Sequence, residues 1–372
     1  MKIAIISPDY PYNQSNNYVF VKQLVEEWKK SGHEIFVFAP QSITKVFLKR
    51  NVRRPRLIEI DSGYHICSPW YISFSNIPML SAIAQLLVKI TLNRAFYKHC
   101  RNCELIYAHF LSSGKIAYYL GMRYKIPYFI ASGESSFNHY KNIKLFQSII
   151  NHANGIIAVS SEINDRIVGK FSVSISDKIL IAPNGFNKEK FYHTGKEIRQ
   201  VLGYSDKDFI ISFVGSFIER KGILILDRAL TEINNKNIKV IFIGNGNLIP
   251  TYNNILHVGP VKHNEIVKYL NSSDIFVLPT LNEGSCNAII EAIACGLPIV
   301  SSKNPFNDDI LSDNYSIRVD PQNVDEVKMA ILKLFNDPQL RNLMSHEALK
   351  AAENFPLSIR AEKILSFMLM KI

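Results

Sequence analysis

Apolar residues follow two rhythms along this chain: short unbroken runs, and longer stretches in which they recur every three or four positions. Lys2–Ser7 (KIAIIS) is a run of the first kind and predicts a buried strand. Tyr10–Asn17 is polar and predicts a loop, after which Val19–Lys30 has helical spacing and stops at Gly32. Glu34–Ala39 (EIFVFA) is the next strand. A strand, a loop, a helix and a strand in that order begin a parallel sheet. Strand patterns recur at Leu105–Ala108, Tyr128–Ala131, Gly155–Val159 and Lys178–Ala182, with helical patterns between them. Pro183-Asn184-Gly185 breaks the series, and Phe186–Thr194 reads as a polar linker. A second alternating series follows, with strands at Phe209–Val214, Lys239–Ile243, Ile255–Val258, Asp274–Leu278 and Pro298–Ser301. The fold class is therefore α/β, with two doubly wound Rossmann-like domains, 1–185 and 186–355. Asn354-Phe355-Pro356 marks another break, and Pro356–Ile372 reads as a separate amphipathic helix. No repeat of short period is visible, which excludes a solenoid.

The length of 372 residues fits two domains, and an apolar fraction of 47% is ample for two cores. Five cysteines (Cys67, Cys100, Cys103, Cys286, Cys295) form no disulfide framework, so a reduced, cytoplasmic setting is expected. Cys100 and Cys103 are a lone CxxC with no second pair. The strand pattern at Met1–Ser7 leaves no room for a signal peptide. The longest apolar run, Met79–Leu92, contains Lys89 and falls short of the ~20 residues that span a bilayer. A soluble or peripheral protein is expected.

Charge changes this picture. Residues 1–180 carry 22 Lys and Arg against 11 Asp and Glu, while residues 181–372 carry 21 of each. The whole excess of +11 lies in the first half. Such asymmetry suits an anionic partner, either lipid head groups or nucleic acid, or else a basic surface kept for solubility. Within it, residues 44–56 set Lys45, Lys49, Arg50, Arg53, Arg54 and Arg56 among Val46, Phe47 and Leu48. Residues 79–101 read as an amphipathic helix with Leu80, Ile83, Leu87 and Ile90 apolar and Lys89, Arg94, Lys98 and Arg101 polar. Both stretches suit an anionic membrane surface, and a helix packed on a sheet with a solvated edge explains the second as well.

The chemistry concentrates at residues 282–300, NEGSCNAIIEAIACGLPIV. A strand, a tight Gly/Ser turn and a helix make a phosphate-binding arrangement, because the helix start offers free N–H groups and partial positive charge. Glu283 falls in the turn and Glu291 in the helix, two carboxylates that bracket that anion site and can accept bonds from paired hydroxyls. A nucleotide sugar has hydroxyls on both sides of a diphosphate. Phe213-Val214-Gly215-Ser216 ends a strand, and Arg220-Lys221-Gly222 opens the next helix with two cations placed to hold a diphosphate. Gly244-Asn245-Gly246 follows a strand and permits close backbone approach, to a base or a ribose. It fails as a dinucleotide fingerprint for want of a third glycine. Asp206-x-Asp208 precedes a strand and reads as a solvated turn, so metal-independent chemistry is expected. His109 ends the strand LIYAH, and Glu134 follows the strand at 128–131, on the first domain's side of the cleft expected between the two domains.

Together these stretches resemble the retaining nucleotide-sugar glycosyltransferases of family 4, which have the GT-B fold. The resemblance rests on AVSSEI (158–163), IAPNGFNKEKF (181–191), FVGSFIERKGI (213–223), VIFIGNGN (240–247), HVGPVKHNEIVKYLNSSDIFVLPT (257–280) and residues 282–300, taken in that order. It implies that Glu291 holds ribose hydroxyls and Glu283 the hydroxyls of the donor sugar. Backbone around Gly284, Ser285, Cys286 and Asn287 would meet the diphosphate, with Lys221 and Arg220, and Gly215 and Ser216 beside them. Asn245 and Val261 would line the base pocket. The first domain would bind the acceptor, with Asn16, Asn17, His109 and Glu134 on that side, and helix 356–372 would cross back onto it. The sequence departs from the family at Asn13–Asn17, where a glycine pair is usual, at Ser216, where Arg is common, and at Gly133-Glu134, where His-Gly is common.

The implied reaction is sugar transfer from a nucleoside diphosphate to an acceptor hydroxyl, with retention and with no cofactor beyond the sugar nucleotide. The acceptor would be a saccharide or a lipid-linked saccharide in cell-surface polysaccharide assembly. An anionic membrane surface is the expected partner, nucleic acid is not, and the place is the cytoplasm or the inner face of the cytoplasmic membrane. A sugar-nucleotide epimerase or hydrolase on the same fold, and a basic binding scaffold with a decayed site, are the alternatives.

Overall fold

The computed structural model describes all residues except 13–17, 49–52, 61–63, 74–77, 135 and 196, and of 78–82 the backbone. Asn16 and Asn17, expected on the acceptor side, lie outside the described residues, as do Lys49 and Arg50. The chain divides into two compact units. The first comprises Met1–Val159, Ile163–Ala182 and Ala361–Ile372; the second comprises Ser160–Glu162 and Pro183–Arg360.

The first unit is built on β1 (Lys2–Ile6), β2 (Glu34–Phe38), β3 (Leu57–Ile60), β4 (Tyr64–Cys67), β5 (Leu105–His109), β6 (Tyr128–Ser132), β7 (Gly155–Ala158) and β8 (Ile179–Ile181). They form one sheet in the order β8-β7-β6-β5-β1-β2-β4-β3, parallel except for the edge strand β3. The central strands are apolar on both faces because both faces are covered. Ala4, Ile6, Phe38, Ile106 and Ile130 pack on one face against Leu92, Phe96, Ala117 and Phe146. Ile3, Ile5, Val37, Tyr107 and Phe129 pack on the other face against Val21, Leu24 and Trp28 of helix Val19–Lys30 and against Ile364, Phe367 and Met368. Those last three belong to the final helix, Leu357–Met370, whose residues from Ala361 onward are part of this unit. Trp28 donates its indole N–H to the Ala361 carbonyl at 2.9 Å. A Cβ at Gly155 would meet the Phe367 ring at 2.6 Å, so only glycine lets the helix lie so close to the sheet.

The second unit has β9 (Phe209–Val214), β10 (Ile238–Ile243), β11 (Ile255–Gly259), β12 (Ile275–Leu278), β13 (Ile299–Ser302) and β14 (Ser316–Val319), all parallel, in the order β11-β10-β9-β12-β13-β14. The chain runs outward from β9 to β11, then returns to set β12 beside β9. That reversal leaves a crevice at the carboxyl ends of β9 and β12, where ligands of open parallel sheets bind. The same reversal in the first unit falls between β1 and β5. Two doubly wound α/β units, with the final helix shared between them, form the GT-B architecture.

Helix Pro78–Cys100 packs through its second half: Leu92, Phe96 and Cys100 are fully buried, while Ile83 and Ile90 of its apolar stripe are exposed. Two expectations need correction. Arg54 is not part of a basic surface. It is 3% exposed and donates from Nη1 to Asp9 Oδ1 and to the Tyr10 carbonyl, both at 2.5 Å. Residues 186–194 are not a free linker, because Phe186 and Phe191 are buried in the second core. The edge strands β3 and β14, and β4 beside β3, escaped the sequence pattern, their polar residues interrupting the apolar runs.

Candidate active site

After β12 the chain turns through Pro279–Cys286 into helix Asn287–Ala294. Cys286 is the N-cap and gives the helix no side-chain cap bond, and its first turn holds no acidic residue. The N–H groups at this helix start therefore keep their partial positive charge for an anion. Asn184 fixes the turn. Its backbone N–H donates to Ser285 Oγ at 3.0 Å, and its amide donates to Asn287 Oδ1 at 2.8 Å and to the Ser285 carbonyl at 3.3 Å.

Across the crevice, β9 ends at Val214, and the chain passes through Gly215 to the 3-10 turn Glu219–Lys221. Arg220 and Lys221 thus lie ahead of helix Ile223–Ile233, with Gly222 between. Gly222 has φ +71°, and a Cβ there would lie 2.0 Å from the Pro279 carbonyl oxygen, so the loops after β9 and β12 touch only because this residue is glycine. Their side chains meet as well. Glu283 Oε1 lies 2.5 Å from Lys221 Nζ and 2.9 Å from Arg220 Nη1. Thr280 Oγ1 stands 3.0 Å from the same oxygen. Arg220 Nη1 also donates to the Asn282 carbonyl, at 2.5 Å. None of these contacts falls on Oε2. The lysine and glutamate side chains are 13% and 12% exposed, the arginine 40%. The Lys221 stem crosses the open face of Gly215, its Cδ 3.5 Å from where a Cβ would sit. Burial pushes the Cys286 thiol up to about 11, with Glu283 adding to the rise and Lys221 opposing it. The thiol is therefore protonated at neutral pH and is no nucleophile.

Glu291 is buried one turn into the helix, and His263 Nε2 lies 3.2 Å from its Oε1. The glycines of Gly244-Asn245-Gly246 approach the chain's own backbone. A Cβ at Gly244 would fall 1.8 Å from the Gly215 carbonyl oxygen, and one at Gly246 would fall 2.3 Å from that of Phe217. The Asn245 carbonyl accepts from Phe217 N–H at 2.7 Å. Ser216 and Asn245 are exposed, Gly284 is buried, and Val261 packs half-buried against the core. The second unit thus gathers Gly215, Arg220, Lys221, Glu283 and Cys286 into one cluster and sets Ser285, Asn287 and Glu291 along the adjoining helix. Asn184 and His263 were missed in the sequence. The first was read as a break, although it lies just past the strand Ile179–Ile181, at the end of a parallel strand where ligands bind.

In the first unit, His109 ends β5 at the reversal of strand order and is buried among aromatic rings. The ring of Phe20 is 4.9 Å away and that of Phe110 4.5 Å. Glu134 has a structural task that the sequence did not disclose. Its Oε1 accepts from Leu111 N–H at 2.6 Å and from Tyr140 OH at 2.8 Å; Oε2 accepts from Ser132 Oγ at 2.5 Å and Gly133 N–H at 3.1 Å. The N-cap of helix Leu111–Tyr124 is Phe110 at φ +68°, which has no capping side chain. Glu134 supplies the cap from another loop, and its negative charge suits that helix start. Burial, then the charge of Glu134, hold the Tyr140 hydroxyl well above its ordinary range.

An uncapped helix start, two cations and two carboxylates at the strand reversal of the second unit are the groups that a glycosyltransferase acting on a sugar nucleotide needs, and the relatives are glycosyltransferases. The chain belongs to glycosyltransferase family 4: residues 19–190 match Glycosyltransferase Family 4 and residues 195–351 match Glycosyl transferases group 1. It is 26% identical over 357 residues to TuaC of Bacillus subtilis, named for teichuronic acid biosynthesis, covering 90% of this chain and 89% of that protein. Over 204 residues it is 28% identical to an Escherichia coli UDP-Gal:alpha-D-GlcNAc-diphosphoundecaprenol alpha-1,3-galactosyltransferase, covering 50% of this chain and 53% of that one. Its fold matches sucrose-phosphate synthase from Thermosynechococcus elongatus at a TM-score of 0.80, with 18% identity over 99% of this chain and 98% of that one.

Proposed function

We propose that this glycosyltransferase moves a sugar from a nucleoside diphosphate to a hydroxyl of a lipid-linked saccharide, retaining the anomeric configuration and using no metal ion. The observation that carries the reading is the contact of Lys221 and Arg220 with Glu283 beside the helix start at 285–287. Breaking the bond between sugar and diphosphate places negative charge on the leaving phosphate. Preorganised donors aimed at developing charge are the strongest lever a protein has on such a step. The two cations and the free N–H groups of the helix supply that positive charge from protein groups alone. Glu283 holds the cations in place through Oε1, and its Oε2 accepts from a hydroxyl of the donor sugar. Glu291 accepts from the ribose, and Asn245 and Val261 border the base. Among the described residues the site offers no activated nucleophile, in keeping with attack by the acceptor on the face the diphosphate leaves, the departing phosphate taking the acceptor's proton.

The acceptor class draws on the E. coli relative, whose name gives a diphosphoundecaprenol-linked sugar, and on TuaC, named for teichuronic acid biosynthesis. The excess of +11 in residues 1–180 supports work at the inner face of the cytoplasmic membrane, against anionic head groups. Among the described residues no helix is long and apolar enough to cross a membrane. The test is a donor screen by thermal shift, since a ligand at 100 times its dissociation constant stabilises by ~2.7 kcal/mol. Product analysis by NMR follows, with and without acceptor and with a chelator. An inverted linkage, loss of turnover in chelator, or release of free sugar as the sole product would each overturn the corresponding part.

A further inference from the structure

Away from the crevice residues, the first unit has an open groove of about 1160 Å³ on its helical layer. Helices Pro78–Cys100, Leu111–Tyr124 and Ile143–His152 form it. Leu86, Ile116, Met122 and Leu145 line its floor and rim. Leu86 and Met122 are each 55% exposed, which is unusual for large apolar side chains grouped on one surface.

The groove is also cationic. Lys45, Lys89, Lys115 and Arg123 line it, and no Asp or Glu does among the described residues. Aromatic rings partner three of these cations in place of carboxylates. Lys89 Nζ is 3.8 Å from the centroid of Tyr119, Lys115 Nζ 5.1 Å from that of Phe146, and the Arg123 guanidinium 5.8 Å from that of Tyr124. Such contacts hold a cation in place without neutralising it. Burial lowers the Lys115 pKa, with no opposing carboxylate. Lys115 stands one turn into a helix that starts at the carboxyl end of β5, the end at which doubly wound sheets bind ligands; Met122 and Arg123 stand toward the other end of that helix.

An apolar floor with unneutralised positive charge along it fits a hydrocarbon chain that ends in a phosphate. We propose that this groove holds the isoprenoid or acyl chain of the acceptor lipid, with its phosphate beside Lys115 and Lys45. The proposal rests on the lipid-linked acceptor of the preceding reading and adds where the chain of that lipid lies. The enzyme then takes part of the lipid out of its surroundings and does not merely touch a bilayer.

Calorimetry on the full chain tests this, with monomeric farnesyl diphosphate, inorganic diphosphate and UDP as probes. Farnesyl diphosphate is expected to bind at least tenfold more tightly than inorganic diphosphate. Leu86→Glu with Met122→Glu, at two exposed positions, is expected to weaken it at least tenfold while UDP affinity and melting temperature stay unchanged. If that pair unfolds the protein, Leu145→Ser and Lys115→Ala serve in its place, with the same expectations. Equal binding of the two diphosphates, or unchanged farnesyl diphosphate binding in the variants, overturns the groove. So does binding to anionic vesicles with none to the monomeric lipid, which would make this face a membrane contact. Farnesyl diphosphate binding without any nucleoside diphosphate binding would keep the groove and sink the donor reading instead.

Discussion

Lys221 Nζ sits 2.5 Å from Glu283 Oε1, and both side chains are nearly buried. Removing one member of a buried pair leaves the other charge uncompensated. Lys221→Ala should lower kcat by about 10²–10³-fold, the range seen when a preorganised donor is removed. Glu283→Ala should do the same, and the double variant should be far less impaired than the product of the two losses. Steady-state kinetics on the three variants checks this. Independent, multiplicative losses would mean that the two residues act separately.

Asn184 ties the turn at 285–287 through three hydrogen bonds, two of them from its side-chain amide. Asn184→Ala should cost about 1–2 kcal/mol of stability from the lost side-chain bonds. It should also raise the donor's dissociation constant more than Asn184→Asp does. Chemical denaturation and calorimetry give the two readings.

Glu134 is a helix cap from a distance. Glu134→Gln replaces acceptor lone pairs with N–H groups that face donors, and should cost roughly 1–3 kcal/mol. Urea unfolding measures it. Full stability with lost acceptor turnover would return Glu134 to the acceptor side, where the sequence placed it.

Gly244→Ala would drive a Cβ to 1.8 Å from the Gly215 carbonyl oxygen at a φ of +152°. It should destabilise by more than about 4 kcal/mol, the range of severe backbone and packing faults. Gly203→Ala is the control, at φ +72° with nothing within 4 Å. It should cost only the roughly 1–2 kcal/mol of a left-handed residue.

The Cys286 thiol, raised from 9.0 to about 11, carries a pH signature. Between these values the unfolded chain loses the proton and the folded chain keeps it, so stability falls as pH rises through that window. Cys286→Ala should flatten that part of the stability curve. Alkylation of Cys286 in the folded protein should stay slow until pH approaches 11.

Much of this was legible in the chain. Central strands such as β1 and β9 are continuous apolar runs because helices cover both their faces, and such runs announce themselves. The edge strands β3 and β14 are half solvated and do not. Glu283, Glu291 and Lys221 stood out because they fall in the loops and helix starts that follow buried strands, where ligands of open parallel sheets bind. Arg54 misled because its partners, Asp9 Oδ1 and the carbonyls of Tyr10 and Ala39, are distant in sequence, which no local pattern shows. The bond from Leu111 N–H to Glu134 was hidden for the same reason. The stripe at Ile83 and Ile90 left two readings open because apolar periodicity records a face without saying what covers it.

The final helix has a consequence for synthesis. Residues 361–372 complete the core of a unit whose other parts end at Ala182. At roughly 5–20 residues per second, the ribosome needs on the order of ten to forty seconds to make what lies between. Through that interval Trp28 lacks the Ala361 carbonyl and the sheet around Gly155 lacks Phe367. The domain that begins first is therefore finished last, and a fragment ending at Ala182 would be left in that incomplete state, with an apolar face open to chaperones or to aggregation.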